Sequence, residues 1–114
     1  MKLVDKSISN SELKDMSEKM HGDMVKAVVD IKQGIMVVDS ELHADEEDYL
    51  LEQGSKQEDL WGINIYPDKF GTENWIEYDS MINLRPVQNN RSRGVDNPEF
   101  RAKIQKIVKK LVEP

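Results

Sequence analysis

The sequence predicts an α+β fold with a largely antiparallel sheet of four or five strands and helices mainly on one face. Two stretches, residues 24–39 and 60–85, alternate apolar and polar side chains as half-buried strands do. Three other segments carry the caps and apolar spacing of helices. The predicted order along the chain is β-α-β-β-α-β-β-α, and strands joined by short turns pair antiparallel.

Length and composition predict a single domain over residues 1–114. A charged fraction of 33% and a hydrophobic fraction of 38% are typical of a globular protein on the hydrophilic side. No apolar run is long enough to cross a bilayer, and the N-terminus lacks the apolar segment of a secretory signal. Cysteine is absent, which excludes disulfides and thiolate sites. We therefore expect a cytoplasmic protein without membrane contact.

A short strand at Lys2–Val4 opens the chain, and a helix from Ser11 to about Met20 follows it. Ser9 and Glu12 have the spacing of a capping box, in which each side chain binds the other residue's backbone N–H. Gly22 is expected to end this helix.

Residues 24–39 predict a hairpin that turns at Gln33-Gly34. Its second strand, Ile35–Val38, is apolar on both faces. This pattern is typical of a central strand, or of one covered by a helix on one side and by a partner chain on the other. A homodimer through residues 35–38 is therefore expected as one way of burying it.

The segment from Ser40 to Gln53 is acidic, and it predicts a helix with Asp45 as its N-cap and Gly54 as its stop. Acidic residues in the first turn complement the helix dipole. Most of the acidity therefore has a structural explanation that involves no ligand.

Residues 59–93 contain the clearest strand pattern, with strands predicted at Leu60–Tyr66 and Trp75–Arg85 around a turn at Pro67–Gly71. If the two strands pair, their polar side chains share one surface with the loop at 88–93. The residues predicted to bind a ligand there are Asn64, Tyr66, Asn83, Arg85, Arg91 and Arg93.

Three residues near this surface are candidates for acid or base chemistry. Glu77 and Asp79 are two residues apart, so on a strand both carboxylates point the same way. His43 lies between a predicted strand and a predicted helix, at a kind of junction that often carries function. With Arg85, Arg91 and Arg93 as a clamp, this set would suit an anionic substrate.

The last predicted helix starts at Asn97-Pro98 and repeats apolar residues from Phe100 to Leu111, with lysines between them. The C-terminal segment is thus basic on a body that gives the chain a net charge of −6. A nucleic-acid contact through this segment is an alternative, but the acidic body opposes it. No metal motif, phosphate loop, dinucleotide fingerprint or serine elbow occurs, so neither a metal nor a cofactor is predicted.

Several segments resemble a small prokaryotic protein family of uncharacterised function. They are residues 22–30, 41–45, 54–57, 61–67 and 82–86, and the resemblance extends over nearly the whole chain. It implies neither an activity nor a catalytic residue. The sequence therefore leaves two main hypotheses, a small binding or interaction module and an enzyme acting on an anionic phosphate- or carboxylate-bearing substrate.

Overall fold

A five-stranded antiparallel sheet forms the centre of the computed structural model, which describes residues 1–114. The strands are β1 (Lys2–Val4), β2 (Ile8–Ser9), β3 (Val25–Asp30), β4 (Ile35–Val38), β5 (Leu60–Ile65), β6 (Ile76–Glu77) and β7 (Val112–Glu113), and the helices are α1 (Asn10–Met20), α2 (His43–Glu52) and α3 (Pro98–Leu111). None of the helices is long and apolar enough to cross a membrane.

The strands of this sheet lie in the order β1-β4-β3-β5-β6, and every neighbouring pair is antiparallel. The predicted α+β fold and the largely antiparallel sheet are therefore confirmed. Two short strands were not predicted: β2 and β7 pair in parallel, with Ile8 opposite Val112. They join the region before α1 to the end of α3.

The larger part of the core lies between one face of the sheet and the helices α1 and α3. Side chains at alternate positions of β3 and β5, such as Val29 and Ile63, pack with Leu13 of α1 and with Ile104 and Val108 of α3. Alternation along each strand sends every second side chain to this face, which we call the first face. Two of the three helices thus lie on one face, as predicted.

The opposite face of the sheet, which we call the second face, is partly covered by α2. Leu50 of α2 packs on Val28, Val37 and Leu60 in a separate apolar cluster. Because Val37 faces this cluster while Met36 and Val38 face the larger core, both faces of β4 are buried within one chain. The apolar pattern of β4 is thereby explained without a second subunit, and a homodimer through residues 35–38 stays a prediction.

The predicted strand from Trp75 to Arg85 was wrong beyond its first residues, since only β6 pairs with β5. Ser80 instead accepts a hydrogen bond from the N–H of Ile82 and caps a 3₁₀ turn at Met81–Asn83. Serine and asparagine side chains compete with strand pairing by binding nearby backbone groups. Gly62 allows this turn to lie close, because a Cβ on Gly62 would be 2.6 Å from the Cβ of Ser80.

The start of α2 also differs from the prediction. The helix begins at His43 rather than after Asp45, and its cap residue Leu42 provides no side-chain hydrogen bond. The acidic residues were expected to complement the helix dipole in the first turn, yet Glu46 is fully buried and Glu47 nearly so. The helix therefore starts three residues earlier than predicted, and both carboxyl groups lie on the side of α2 that faces the protein.

Candidate functional site

A cleft of about 260 Å³ lies on the second face, between the start of α2 and the segment that follows β6. It brings together residues from five parts of the chain. Its polar lining consists of Lys26, His43, Asn64, Asp79, Ser80 and Arg93. Four of these six, His43, Asn64, Asp79 and Arg93, are residues that the sequence pointed to as site candidates.

The floor of the cleft is formed by Lys26 and Asn64, which belong to a row of polar side chains across three strands. Lys26 of β3 lies opposite Asn64 of β5, which lies opposite Glu77 of β6. The Nδ2 group of Asn64 donates to Oε1 of Glu77 at 2.8 Å and to the backbone oxygen of Asp79 at 3.3 Å. These two acceptors fix the orientation of the amide, and its oxygen Oδ1 is buried without a partner.

Glu77 and Tyr66 support Asn64 from the side of the cleft. The Tyr66 hydroxyl donates to the same carboxylate oxygen of Glu77 at 3.1 Å. Burial and then the adjacent Glu77 raise the pKa of Tyr66, so the phenol stays protonated and keeps donating. Neither residue lines the cleft. Glu77 binds the amide of Asn64, which does line it, and Tyr66 binds Glu77.

Asp79 and Arg93 form an ion pair at the rim. The Nε group of Arg93 lies 2.7 Å from Oδ1 of Asp79, and the two side chains are 54% and 45% exposed. Another guanidinium nitrogen, Nη1, contacts the sulfur of Met81 at 3.4 Å. An exposed pair of this kind is held weakly, so Arg93 can turn its other donors toward a ligand.

His43 is the first residue of α2 and is 8% exposed. Its Nε2 lies 2.8 Å from the carbonyl oxygen of Ile63. Because a carbonyl only accepts, Nε2 carries the proton and Nδ1 is the unprotonated nitrogen of the neutral ring. Burial lowers the pKa of His43, although the bond to Ile63 opposes this shift, so the neutral form predominates at pH 7.

The N-terminus of α2 contributes a partial positive charge to the cleft. Leu42, His43 and Ala44 all line it, and no side chain caps the helix there. The first N–H groups of a helix have no partners within the helix, and the helix dipole makes this end attractive to anions. Lys26 is in none of the ion pairs of the chain, so its charge acts in the same sense.

Four of the six predicted binding residues lie outside the cleft, and Tyr66, described above, is one of them. Asn83 is buried and binds the backbone of Gly62, while Arg85 donates to the carbonyl oxygens of Gln57 and Leu60. The guanidinium carbon of Arg85 also lies 4.0 Å from the centre of the Trp61 ring. Arg91 likewise does not line the cleft. The clamp of three arginines is therefore not assembled, and Arg93 alone reaches the cleft.

The polar loop at residues 88–93 uses its amides to hold its own shape. Nδ2 of Asn90 donates to the carbonyl oxygens of Asn83 and Gly94, at 2.7 and 2.8 Å. Its Oδ1 accepts from the N–H of Asp96, and Gln88 donates to the carbonyl of Glu58. The amides at 88 and 90 thus have partners inside the chain.

Lys26, Ser80 and the uncapped start of α2 are the parts of the cleft that the sequence did not indicate. Lys26 is one of the polar residues that alternate with apolar ones along β3. Its place beside Asn64 depends on the pairing of β3 with β5, two strands that β4 and α2 separate in the chain. No group of three histidine or carboxylate side chains converges to hold a metal ion.

Fold and cleft together define a small α+β protein with a positively charged cleft on the less covered face of its sheet. The chain belongs to the family described as "Protein of unknown function (DUF5674)", whose model matches residues 2–111. The resemblance to a family of uncharacterised function is thereby confirmed, while its prokaryotic origin stays a prediction. No curated protein and no solved structure matches the chain.

Proposed function

We propose that the protein binds a small anionic ligand, bearing a carboxylate or a phosphate, in the cleft between α2 and β5. Lys26, Arg93 and the first N–H groups of α2 would meet the anion. Asn64 would accept a hydrogen bond from a hydroxyl or amino group of the same ligand. The observation that carries this proposal is the convergence of an unpaired lysine and an uncapped helix start on one cleft.

The charges of the chain support an anion. The protein has a net charge of −6, so most of its surface repels anions. Within the cleft, Lys26 and Arg93 outnumber Asp79, and the dipole of α2 adds to them. A hydrogen bond to each cation contributes roughly 1.5 to 3 kcal/mol, which corresponds to binding from about millimolar to tens of micromolar.

A ¹H–¹⁵N NMR titration with inorganic phosphate and with glycolate tests the proposal. Glycolate carries both a carboxylate and a hydroxyl group, and the amide oxygen of Asn64 can accept a hydrogen bond from the hydroxyl. We expect shifts of the backbone signals at residues 42–44 and of Asn64, and about tenfold weaker binding in Lys26→Gln. Lys32→Gln removes an exposed lysine at the turn of the same hairpin and is the control. Equal affinities of the two variants would remove Lys26 from the site.

An enzyme acting on an anionic substrate is the second candidate, and the hydrogen bond of His43 favours it. With Nε2 bound to Ile63, Nδ1 is available as a base in the cleft that Arg93 also lines. A panel of phosphate and carboxylate esters, incubated with the protein and with His43→Gln, provides the test. Hydrolysis that persists in His43→Gln would arise from another group and would contradict this role.

We also propose a cytoplasmic location and a homodimer, and we propose no contact with nucleic acid. A cytoplasmic location rests on the absence of cysteine from the composition. A homodimer through β4 is tested by light scattering at micromolar concentration, where a monomeric mass would contradict it. Nucleic acid is not among the proposed partners, because the acidic chain repels phosphate backbones outside the cleft.

A further inference from the structure

A second cavity, of about 540 Å³, lies on the other side of the molecule between α3 and the loop before β6. It shares no lining residue with the cleft described above. Phe70, Trp75, Ile76 and Tyr78 form its apolar walls. Its size is within the range of small-molecule sites, which are concave, largely apolar and supplied with a few polar groups.

The apolar wall is built from aromatic rings. Phe70 and Trp75 meet edge to face, with their ring centres 4.9 Å apart and their planes at 73°. Phe70 remains 37% exposed, so its ring is accessible to a ligand. The indole nitrogen of Trp75 is buried without a hydrogen-bond acceptor.

Two opposite charges line the same cavity without forming a pair. Lys109 enters from α3 and Glu73 from the facing loop. The ion pairs of the chain join Lys2 to Glu12, Lys14 to Asp68 and Arg93 to Asp79, so neither Lys109 nor Glu73 is in one. A ligand that fits this lining has an apolar body, an anionic group and a cationic group.

We propose that this cavity binds an apolar α-amino acid with an aromatic side chain. Its carboxylate would contact Lys109, its ammonium group would contact Glu73, and its ring would pack on Phe70 and Trp75. The proposal is independent of the anion cleft, because the two sites have no residue in common.

The test uses L-phenylalanine as the probe, with two analogues that each lack one charge. Phenylpropanoate has no ammonium group, and phenethylamine has no carboxylate. The indole ¹H–¹⁵N signal of Trp75, identified by its loss in Trp75→Phe, reports binding by NMR. We expect phenylalanine to shift this signal and to bind about tenfold more tightly than either analogue, since each lacks one charge-assisted contact.

Charge-neutralising variants assign each contact. Lys109→Gln is expected to weaken the binding of phenylalanine and phenylpropanoate but not of phenethylamine. Glu73→Gln is expected to weaken the binding of phenylalanine and phenethylamine but not of phenylpropanoate. Lys110→Gln and Glu52→Gln remove exposed charges outside the cavity and are the controls. An unchanged Trp75 signal at millimolar phenylalanine would overturn the proposal. Equal binding of all three probes, or equal affinities of Lys109→Gln and Lys110→Gln, would also overturn it.

Discussion

The side-chain amide of Asn83 binds both backbone groups of Gly62. The Gly62 N–H donates to Oδ1 of Asn83 at 2.9 Å, and Nδ2 of Asn83 donates to the Gly62 carbonyl at 3.0 Å. These are the two bonds that a residue of a neighbouring strand would make. The same amide donates to the carbonyl of Arg93 at 3.0 Å. A side chain therefore completes the edge of β5 where β6 has ended.

Asn83→Ala is expected to lower the free energy of unfolding by about 2 to 4 kcal/mol, because it leaves buried N–H and C=O groups of Gly62 without partners. Urea denaturation followed by circular dichroism measures this loss. Asn74→Ala, at an exposed loop position, is the control and is expected to change stability by less than about 0.5 kcal/mol. A similar small change in Asn83→Ala would contradict the bracing role of its amide.

Gly62→Ala is expected to cost about 1 to 3 kcal/mol, because the added Cβ would lie 2.6 Å from both Cβ and Oγ of Ser80. The 3₁₀ turn at Met81–Asn83 would have to move away from β5. Ser80→Gly removes both clashing atoms, so the double variant should recover part of the loss that Gly62→Ala causes. Denaturation curves of the two single variants and the double variant provide the measurement. Strictly additive losses would show that the clash is not the cause.

The alternation along β3 and β5 and the continuous apolar run of β4 were sufficient to predict these strands. The segment after β6 misled the prediction for a physical reason. Tyr78, Ile82 and Leu84 continue the alternation, but Ser80 and Asn83 bind backbone groups and curl the chain into a turn. Whether this segment continues as a strand or forms a turn depends on its contacts with Gly62, which is distant in sequence.

The candidate site was predictable only in part, for a related reason. His43, Asn64, Asp79 and Arg93 have residue types that suggest chemistry, and the fold brings them to one cleft. Arg85 has the same chemistry as Arg93, but it binds backbone carbonyl oxygens within the chain. Whether a guanidinium faces a ligand or a carbonyl oxygen is decided by the final packing of the 3₁₀ turns, which local spacing does not determine.

Glu46 makes stability depend on pH. Burial raises the pKa of its carboxyl from 4.5 to about 10, although the nearby Lys26 opposes the shift. The folded state therefore holds a proton that the unfolded state releases above about pH 4.5, so the folded state binds more protons between those values. The free energy of unfolding is expected to fall as pH rises through this window, by up to about 1.4 kcal/mol per pH unit.

Glu46→Gln cannot ionise, so it should remove this contribution to the slope. Urea denaturation at pH 5, 6, 7 and 8 compares the slopes of the protein and the variant. The comparison of slopes is independent of any constant cost of the buried amide. Glu52→Gln changes an exposed carboxyl of the same helix and is expected to leave the slope unaltered. Parallel curves for the protein and Glu46→Gln would mean that Glu46 is not buried in its neutral form.

Arg85 and Arg93 are expected to respond to substitution in opposite ways. Arg85 packs on Trp61 and binds two backbone carbonyls, so Arg85→Ala should lower the free energy of unfolding by about 1 to 3 kcal/mol. The Arg93 side chain contacts the sulfur of Met81 and forms an exposed ion pair, which contributes between about 0 and 1 kcal/mol. Phosphate affinity should show the reverse order, because Arg93 lines the cleft and Arg85 does not. Denaturation and NMR titration of both variants measure the two quantities. If Arg85→Ala weakened phosphate binding and Arg93→Ala left it unchanged, the anion site would lie at the start of β5 instead.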